Sequence, residues 1–222
     1  MMSVTDQAAY EQVVETVGEV VGEDGLNLLI NNAGVLPQNR DLQVRYYSDE
    51  LELPIIQCLQ AVTPQDMRDA FETNCIAPLF LSRALLPLIQ KAATKNGDAA
   101  MGVAKAAIVQ VRFKASEIVC KIVSARCPQQ WQVLLRTLVV VPMPTDAPNQ
   151  PSNMSMKSLS VDLTSTGILV MAMHPGWVLT EMGGPNAQIT TETCCQTMIQ
   201  TLAGLTDKVR HCHCFSYLLW SE

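Results

Sequence analysis

The sequence predicts an α/β fold in which helices cover both faces of one doubly wound parallel sheet. Three short apolar segments with the length of strands, 27–31, 105–111 and 168–176, alternate with longer segments of helical periodicity. Helix and strand therefore follow each other in the order that such a sheet requires. The chain has 222 residues, 48% of them hydrophobic, which suits a single domain with one core.

The first helix is predicted from its N-cap and its valine spacing, and the first strand from its apolar residues. Thr5 or Asp6 is expected to cap a helix that runs to about Gly22, since valines recur within it at helical spacing. The strand that follows contains Leu28 and Ile30 and is apolar on both faces, as central parallel strands are.

The second helix has the clearest start in the sequence. Thr63 is a favourable N-cap and Pro64 fits the first helical position. We expect this helix to run to about Lys91 and to bend at Pro78 or Pro87, because proline cannot donate the intrahelical hydrogen bond.

Two more helices complete the pattern. Residues 156–167 are expected to form a helix that closes at Gly167, directly before the third strand. Thr190 or Thr191 is expected to begin the last helix, which ends near Gly204.

Charge and cysteine usage limit the classes of partner. The net charge is -6 and there is no long basic run, which argues against nucleic acid and against an anionic membrane surface as partners. Eight cysteines without a CxxC pair fit a reducing compartment. The first residues lack the features of a signal peptide and no run of eighteen apolar residues occurs, so we expect a cytoplasmic protein.

Polar, glycine-containing stretches follow the first and third strands. They are NNAG at 31–34 and HPGWVLT at 174–180. Each could be a simple strand-to-loop turn, but ligands of doubly wound sheets bind at the carboxyl ends of the strands. The position of both stretches therefore favours a binding site.

These two motifs on these elements make the chain resemble the short-chain dehydrogenase/reductase family, in its C-factor-type, carbonyl-reductase-like branch. The resemblance covers residues 1–43, 62–110 and 153–208. It implies a Rossmann-type domain that binds NAD or NADP and transfers hydride between the nicotinamide and a small carbonyl or alcohol substrate. A homodimer formed through the long helices is also expected.

The resemblance assigns roles to the residues around the first strand. Asn31, Asn32, Ala33 and Gly34 match the family's NNAG element, which stiffens the central strand beside the adenine ribose. Asn74 in FETNCIAP matches the family's active-site asparagine, whose backbone carbonyl holds a water in the proton relay. The alternative for Asn74 is a polar residue on the solvent side of a helix.

The resemblance also assigns roles after the third strand. Pro175, Gly176 and Thr180 match the family's PG-x-x-x-T element, in which the loop and the threonine hydroxyl bind the nicotinamide carboxamide. The alternative is a proline–glycine turn after an edge strand. No metal site is expected, since the four adjacent ligands of HCHC at 211–214 rarely converge on one ion.

Three elements of the family's pattern are missing from this sequence. No TGxxxGxG occurs, and GEVVGEDG at 18–25 is expected to be a helix C-cap. Arg112 stands near where the catalytic serine should follow the second strand, with Ser116 and Ser124 further along. No tyrosine has a lysine four residues later, and an ungapped alignment places Thr145 and Asn149 at those two positions.

The unmatched stretches suggest an origin for these gaps. Each begins with valine–arginine, which a splice donor encodes when it is read through in frame. We therefore hypothesise retained intron sequence at 44–61, 111–150 and 209–222, and a missing 5′ exon, within a domain that otherwise spans 1–208. The sequence thus predicts an oxidoreductase scaffold with impaired catalysis. The alternatives are a non-catalytic protein with a binding or dimerisation role, and the product of an aberrant gene model.

Overall fold

The sheet consists of three parallel strands in the order β1-β2-β3. The computed structural model describes residues 2–35, 63–111, 149–185 and 187–204. The strands are β1 (Leu28–Asn31), β2 (Ala107–Val111) and β3 (Leu169–Met173). Asn31 lies opposite Gln110, and Val111 lies opposite Met173, so the carboxyl ends of all three strands meet at one edge.

Five α-helices are described, with one π-helical turn between the second and the third. They are α1 (Tyr10–Val21), α2 (Pro64–Phe71), the π turn (Glu72–Ile76), α3 (Ala77–Lys95), α4 (Asn149–Asp162) and α5 (Thr191–Ala203). Short 3₁₀ turns occupy 7–9, 22–24 and 164–166. The alternation of helix and strand is the predicted one.

Helices lie on both faces of the sheet, which confirms the doubly wound α/β prediction. One face packs under α1, α3 and α4, around Ile89, Ile108 and Met156. The other face packs under α5, where Leu202 meets Met171. Strands β2 and β3 are buried at every position, so their residues are apolar at consecutive positions apart from Gln110. Strand β1 differs from the predicted central strand, since it lies at the edge of the three described strands and its Ile30 is 42% exposed.

The N-terminus of α2 has the predicted cap. The Thr63 hydroxyl accepts a hydrogen bond from the Asp66 backbone N–H (3.1 Å), and the Asp66 carboxylate accepts one from the Thr63 N–H (2.8 Å). These two bonds form a capping box. The Thr63 hydroxyl also donates to the Asp66 carboxylate (2.6 Å), and this bond, together with the one from the Thr63 N–H, lowers the pKa of the Asp66 carboxyl.

The helix does not end at Lys91 but continues without a break from Pro64 to Lys95. Its irregularity is the π turn directly before Pro78, whereas α3 runs on through Pro87. By length and composition alone this helix could span a membrane. In the described fold it is a core helix, with Leu85 and Ile89 among its buried residues.

Two helix starts differ from the sequence prediction. Asp6 precedes a 3₁₀ turn, not α1, and its side chain makes no capping hydrogen bond, because that turn separates the carboxylate from the first N–H groups of α1. Helix α4 begins at Asn149, seven residues before the predicted start. Its first turn contains Pro151, which is tolerated there because the first N–H groups of a helix have no intrahelical partner.

The segment between α1 and β1 lies in close contact with α3. Helix α1 ends at Val21 with Gly22 as its C-cap, which confirms that GEVVGEDG is a helix terminus. Gly25 has φ 72°, and a Cβ on it would lie 2.4 Å from the backbone nitrogen of Ala92. Only glycine allows the two backbones to approach this closely.

Candidate cofactor site

The two motifs singled out in the sequence emerge at the same edge of the sheet. NNAG follows β1 and the proline–glycine stretch follows β3, with β2 between them. Since neighbouring strands are about 4.8 Å apart, the two loops leave the sheet roughly 10 Å from each other. This is the edge at which doubly wound sheets bind ligands.

Asn31 is a buried anchor and does not face solvent. Its side chain is 6% exposed, and its amide nitrogen donates to the hydroxyl of Ser82 on α3 (3.0 Å). Ser82 is itself 1% exposed. The bond therefore ties the end of β1 to the central helix, consistent with a stiffening role for the first asparagine of NNAG.

The rest of the motif is open to solvent. Asn32, Ala33 and Gly34 are all exposed. A Cβ on Gly34 would lie 3.5 Å from the side-chain oxygen of Asn74, an ordinary contact, so no described neighbour demands glycine at this position. These three residues are therefore accessible at the carboxyl end of β1.

Asn74 holds the loop that follows NNAG. Its side-chain oxygen accepts a hydrogen bond from the Val35 N–H, and its amide nitrogen donates to the Val35 carbonyl, both at 2.9 Å. The amide thus pairs with the backbone of Val35 as a neighbouring strand would. Asn74 is half-buried on its helix, and its side chain is engaged with the backbone of Val35.

The backbone around Asn74 departs from α-helical geometry. Ala77 donates its N–H to the carbonyl of Glu72, five residues earlier, as in a π turn. Pro78 has no N–H, so the carbonyl of Asn74 cannot receive the ordinary α-helical bond from residue 78. Such π turns are frequent at functional sites.

The Pro175–Gly176 turn is tightly packed. Pro175 is buried, and Gly176 has φ 83°, a backbone conformation that residues with a side chain rarely adopt. A Cβ on Gly176 would lie 2.8 Å from Cδ1 of Ile189, the far end of a flexible side chain that can shift. Glycine is therefore required here by the backbone conformation.

Thr180 organises the turn after this segment. It is exposed, and its hydroxyl accepts a hydrogen bond from the Gly183 N–H (3.0 Å). Trp177 donates its indole N–H to the Gly183 carbonyl (2.7 Å). A shallow depression of about 380 Å³ lies beside Thr180, lined also by Leu179, Glu181, Gly184 and Pro185.

Sequence reasoning missed the partners of these residues. Ser82 and Val35 were not singled out, and neither was Gln110, which is 2% exposed with a side-chain oxygen that meets no donor within the described part of the chain. Ser82 could have been found, because it lies at the helical spacing of the buried residues Pro78, Leu85 and Ile89.

Several predictions concern residues outside the described ranges. Arg112, Ser116, Ser124, Thr145 and the HCHC stretch all lie there. On α5, Cys194 is buried and Cys195 is exposed. Among the described residues, no group of three or more potential ligands could hold a metal ion.

Comparison with known proteins gives three informative similarities. C-signal of Myxococcus xanthus is 40% identical over 53 residues, which are 24% of this chain and 32% of that protein. The carbonyl reductase Sniffer of D. melanogaster has a similar structure, with a TM-score of 0.70 and 30% identity, covering 94% of this chain and 71% of that one. The NADPH-bound carbonyl reductase from chicken fatty liver has a TM-score of 0.69 and 29% identity, covering 94% and 70%.

The sequence matches span only part of the related proteins. No protein-family model matches the chain. The matched segment spans about a third of C-signal, whereas the structural likeness covers most of both chains.

Proposed function

Because this chain belongs to the short-chain dehydrogenase/reductase family, we propose that it binds NADPH or NADH at the carboxyl edge of its sheet. The substrate class that goes with this fold is a small carbonyl or alcohol compound. A bound nicotinamide cofactor supplies hydride chemistry. The chain's own residues position that cofactor.

The observation that carries the proposal is that two constrained loops meet at one edge. The loop after β1 is held at Asn31 by Ser82 and at Val35 by Asn74. The Pro175–Gly176 turn after β3 is held against Ile189. Exposed Asn32, Ala33 and Gly34 would line the adenosine half of the cofactor, and the turn with Thr180 would contact the carboxamide.

We further propose that this chain turns over slowly. Reduction of a carbonyl needs a proton donor for the oxygen, and a tyrosine serves near neutral pH when a nearby lysine lowers its pKa. None of the four tyrosines has a lysine one helical turn later. The resemblance places a threonine and an asparagine there, and neither supplies an acidic proton or a positive charge.

The test is a calorimetric titration of the whole chain with NADPH and with NADH, together with a thermal melt. Thr180→Val should weaken NADPH binding by roughly fivefold, the effect of one lost hydrogen bond. Thr166→Val is the matched control, since Thr166 lies at the opposite end of β3 and donates only to the Leu163 carbonyl. Equal NADPH affinity in both variants would contradict the assignment of Thr180.

The alternative function is a non-catalytic protein that keeps the fold for binding or dimerisation. Met154 and Val161 favour it: they lie seven residues apart on α4 and are 75% and 61% exposed. Two apolar side chains on one helix face fit a contact with a second copy through the long helices. A cooperative melt without cofactor binding, with a dimer in light scattering, would support this alternative. In either case we propose a cytoplasmic protein with no nucleic-acid or membrane partner.

A further inference from the structure

We propose that His174 and Cys194 are positioning residues that hold one peptide group, Pro175–Gly176, in the orientation the nicotinamide needs. The inference rests on the proposed function, because it concerns the turn assigned to the carboxamide. It adds two residues that the family pattern did not point to.

Both ends of this peptide group are held by side chains. The N–H of Gly176 donates to Nδ1 of His174 (2.9 Å), and the carbonyl of Pro175 accepts from the thiol of Cys194 (3.3 Å). The carbonyl and the N–H belong to the same planar unit. His174 and Cys194 therefore contact it from its two opposite ends.

The backbone alone leaves this orientation weakly determined. The peptide group between Pro175 and Gly176 can flip through the ψ angle of Pro175 and the φ angle of Gly176, and glycine tolerates either sign of φ. The observed φ of Gly176 is 83°. A flip would break both side-chain contacts at once, so together they favour the observed form.

The two side chains are themselves fixed by their surroundings. Cys194 is 5% exposed, and it lies in the first turn of α5, whose N-cap Thr190 accepts from the Thr193 N–H (3.2 Å). His174 directly follows the buried strand β3. Leu179 donates its N–H to the carbonyl of Ile189 (2.8 Å), which joins the segment after the turn to the chain that enters α5.

Hydrogen exchange tests the two contacts without any ligand. The Gly176 amide should exchange slowly in the wild-type chain and clearly faster in His174→Leu, which has no acceptor. His174→Asn should restore protection, since the asparagine oxygen can occupy the place of Nδ1. Fast exchange of the Gly176 amide in the wild type would overturn the assignment of His174.

Titrations test the role of the contacts in cofactor binding. The probes are NADPH and 2′-phospho-ADP-ribose, which is NADPH without the nicotinamide ring. His174→Leu and Cys194→Ala should each weaken NADPH binding by roughly threefold or more, and the double variant by about tenfold. Binding of 2′-phospho-ADP-ribose should not change. His174→Asn and Cys194→Ser should return NADPH affinity to within about twofold of wild type.

Each other outcome has a distinct meaning. If the wild type binds NADPH and the variants bind it equally well, the positioning role is wrong. If the variants lose both probes equally, the residues support the fold in general and the proposal is also wrong. If the wild type binds neither NADPH nor NADH while the Gly176 amide is protected, the proposed function fails, and the contacts stabilise the turn without serving a cofactor.

Discussion

The side-chain amide of Asn74 exchanges two hydrogen bonds with the backbone of Val35, so that a π turn in the central helix holds the loop after β1. Asn74→Asp keeps the acceptor for the Val35 N–H but removes the donor to its carbonyl. We expect a loss of about 1 kcal/mol in the free energy of unfolding, measured by urea denaturation. Asn74→Leu should lose roughly twice that amount. An Asn74→Leu variant as stable as wild type would show that the pair contributes nothing.

The buried side-chain oxygen of Gln110 predicts that replacing this polar residue will not lower the free energy of unfolding. It meets no donor among the described residues, while the amide nitrogen donates to the Val111 carbonyl (3.3 Å). Burying an unpaired acceptor costs about 1–3 kcal/mol, more than one neutral hydrogen bond contributes. Gln110→Met should therefore leave the free energy of unfolding unchanged or raise it by about 1 kcal/mol in urea denaturation.

Asn31→Leu is the matched control for this change. Asn31 lies opposite Gln110 in the sheet but has a partner, Ser82, so its replacement should lower stability by about 1–3 kcal/mol. A destabilised Gln110→Met would mean that a donor, such as an ordered water, reaches the Gln110 oxygen in solution.

Alanine substitutions at Gly25 and Gly22 distinguish the cost of backbone strain from the cost of steric overlap. Both have positive φ, 72° and 51°, but a Cβ on Gly25 would lie 2.4 Å from Ala92 nitrogen, whereas one on Gly22 meets nothing within 4 Å. Gly22→Ala should cost about 1–3 kcal/mol, from conformation alone. Gly25→Ala should cost clearly more, because the chain between α1 and β1 must also move away from α3. Equal unfolding midpoints for the two variants in urea would contradict the close helix contact.

The capping box at the start of α2 predicts a dependence of stability on pH. Hydrogen bonds from Thr63 lower the pKa of the Asp66 carboxyl in the folded state, so its contribution is full above the unfolded pKa, near 3.9, and is lost as pH falls through the folded pKa. Asp66→Asn should thus lower the melting temperature at pH 7, with the difference from wild type narrowing below about pH 4. Asp69→Asn on the same helix, outside the box, is the matched control for the loss of one carboxylate.

Features that depend on a few consecutive residues were predicted more successfully than features that depend on tertiary contacts. Thr63 and Thr190 were expected as caps and are caps, because a helix start depends on a few consecutive residues. The start of α4 at Asn149 was missed, since its first turns are polar and low in helix propensity. Of those turns, only Asn149 and Gln150 lie in the unmatched segment 111–150.

In the candidate site, too, the local motifs were predicted from the sequence and their tertiary partners were not. The two motifs were found because the order of strands and helices places them at one edge, and Asn74 was found because FETNCIAP resembles the family's asparagine element. The partners of these motifs, such as Ser82, Val35 and Cys194, are between 19 and 51 residues away in sequence. No local pattern encodes a contact between a thiol in one helix and a carbonyl after a strand, so only the fold reveals it.

The π turn at 72–76 also sets the rotational phase of the central helix. One extra residue in a turn rotates everything after it by about 100° relative to a regular helix. The apolar positions therefore have different helical phases before and after the π turn, in residues 64–71 and in residues 77–95. A single helical wheel drawn over both segments would not show one continuous buried face. Deleting one residue from the turn would bring the apolar positions back into phase. The same deletion would move Asn74 away from Val35. In this fold the central helix therefore cannot be a regular α-helix and also keep the hydrogen bonds that hold the loop after β1.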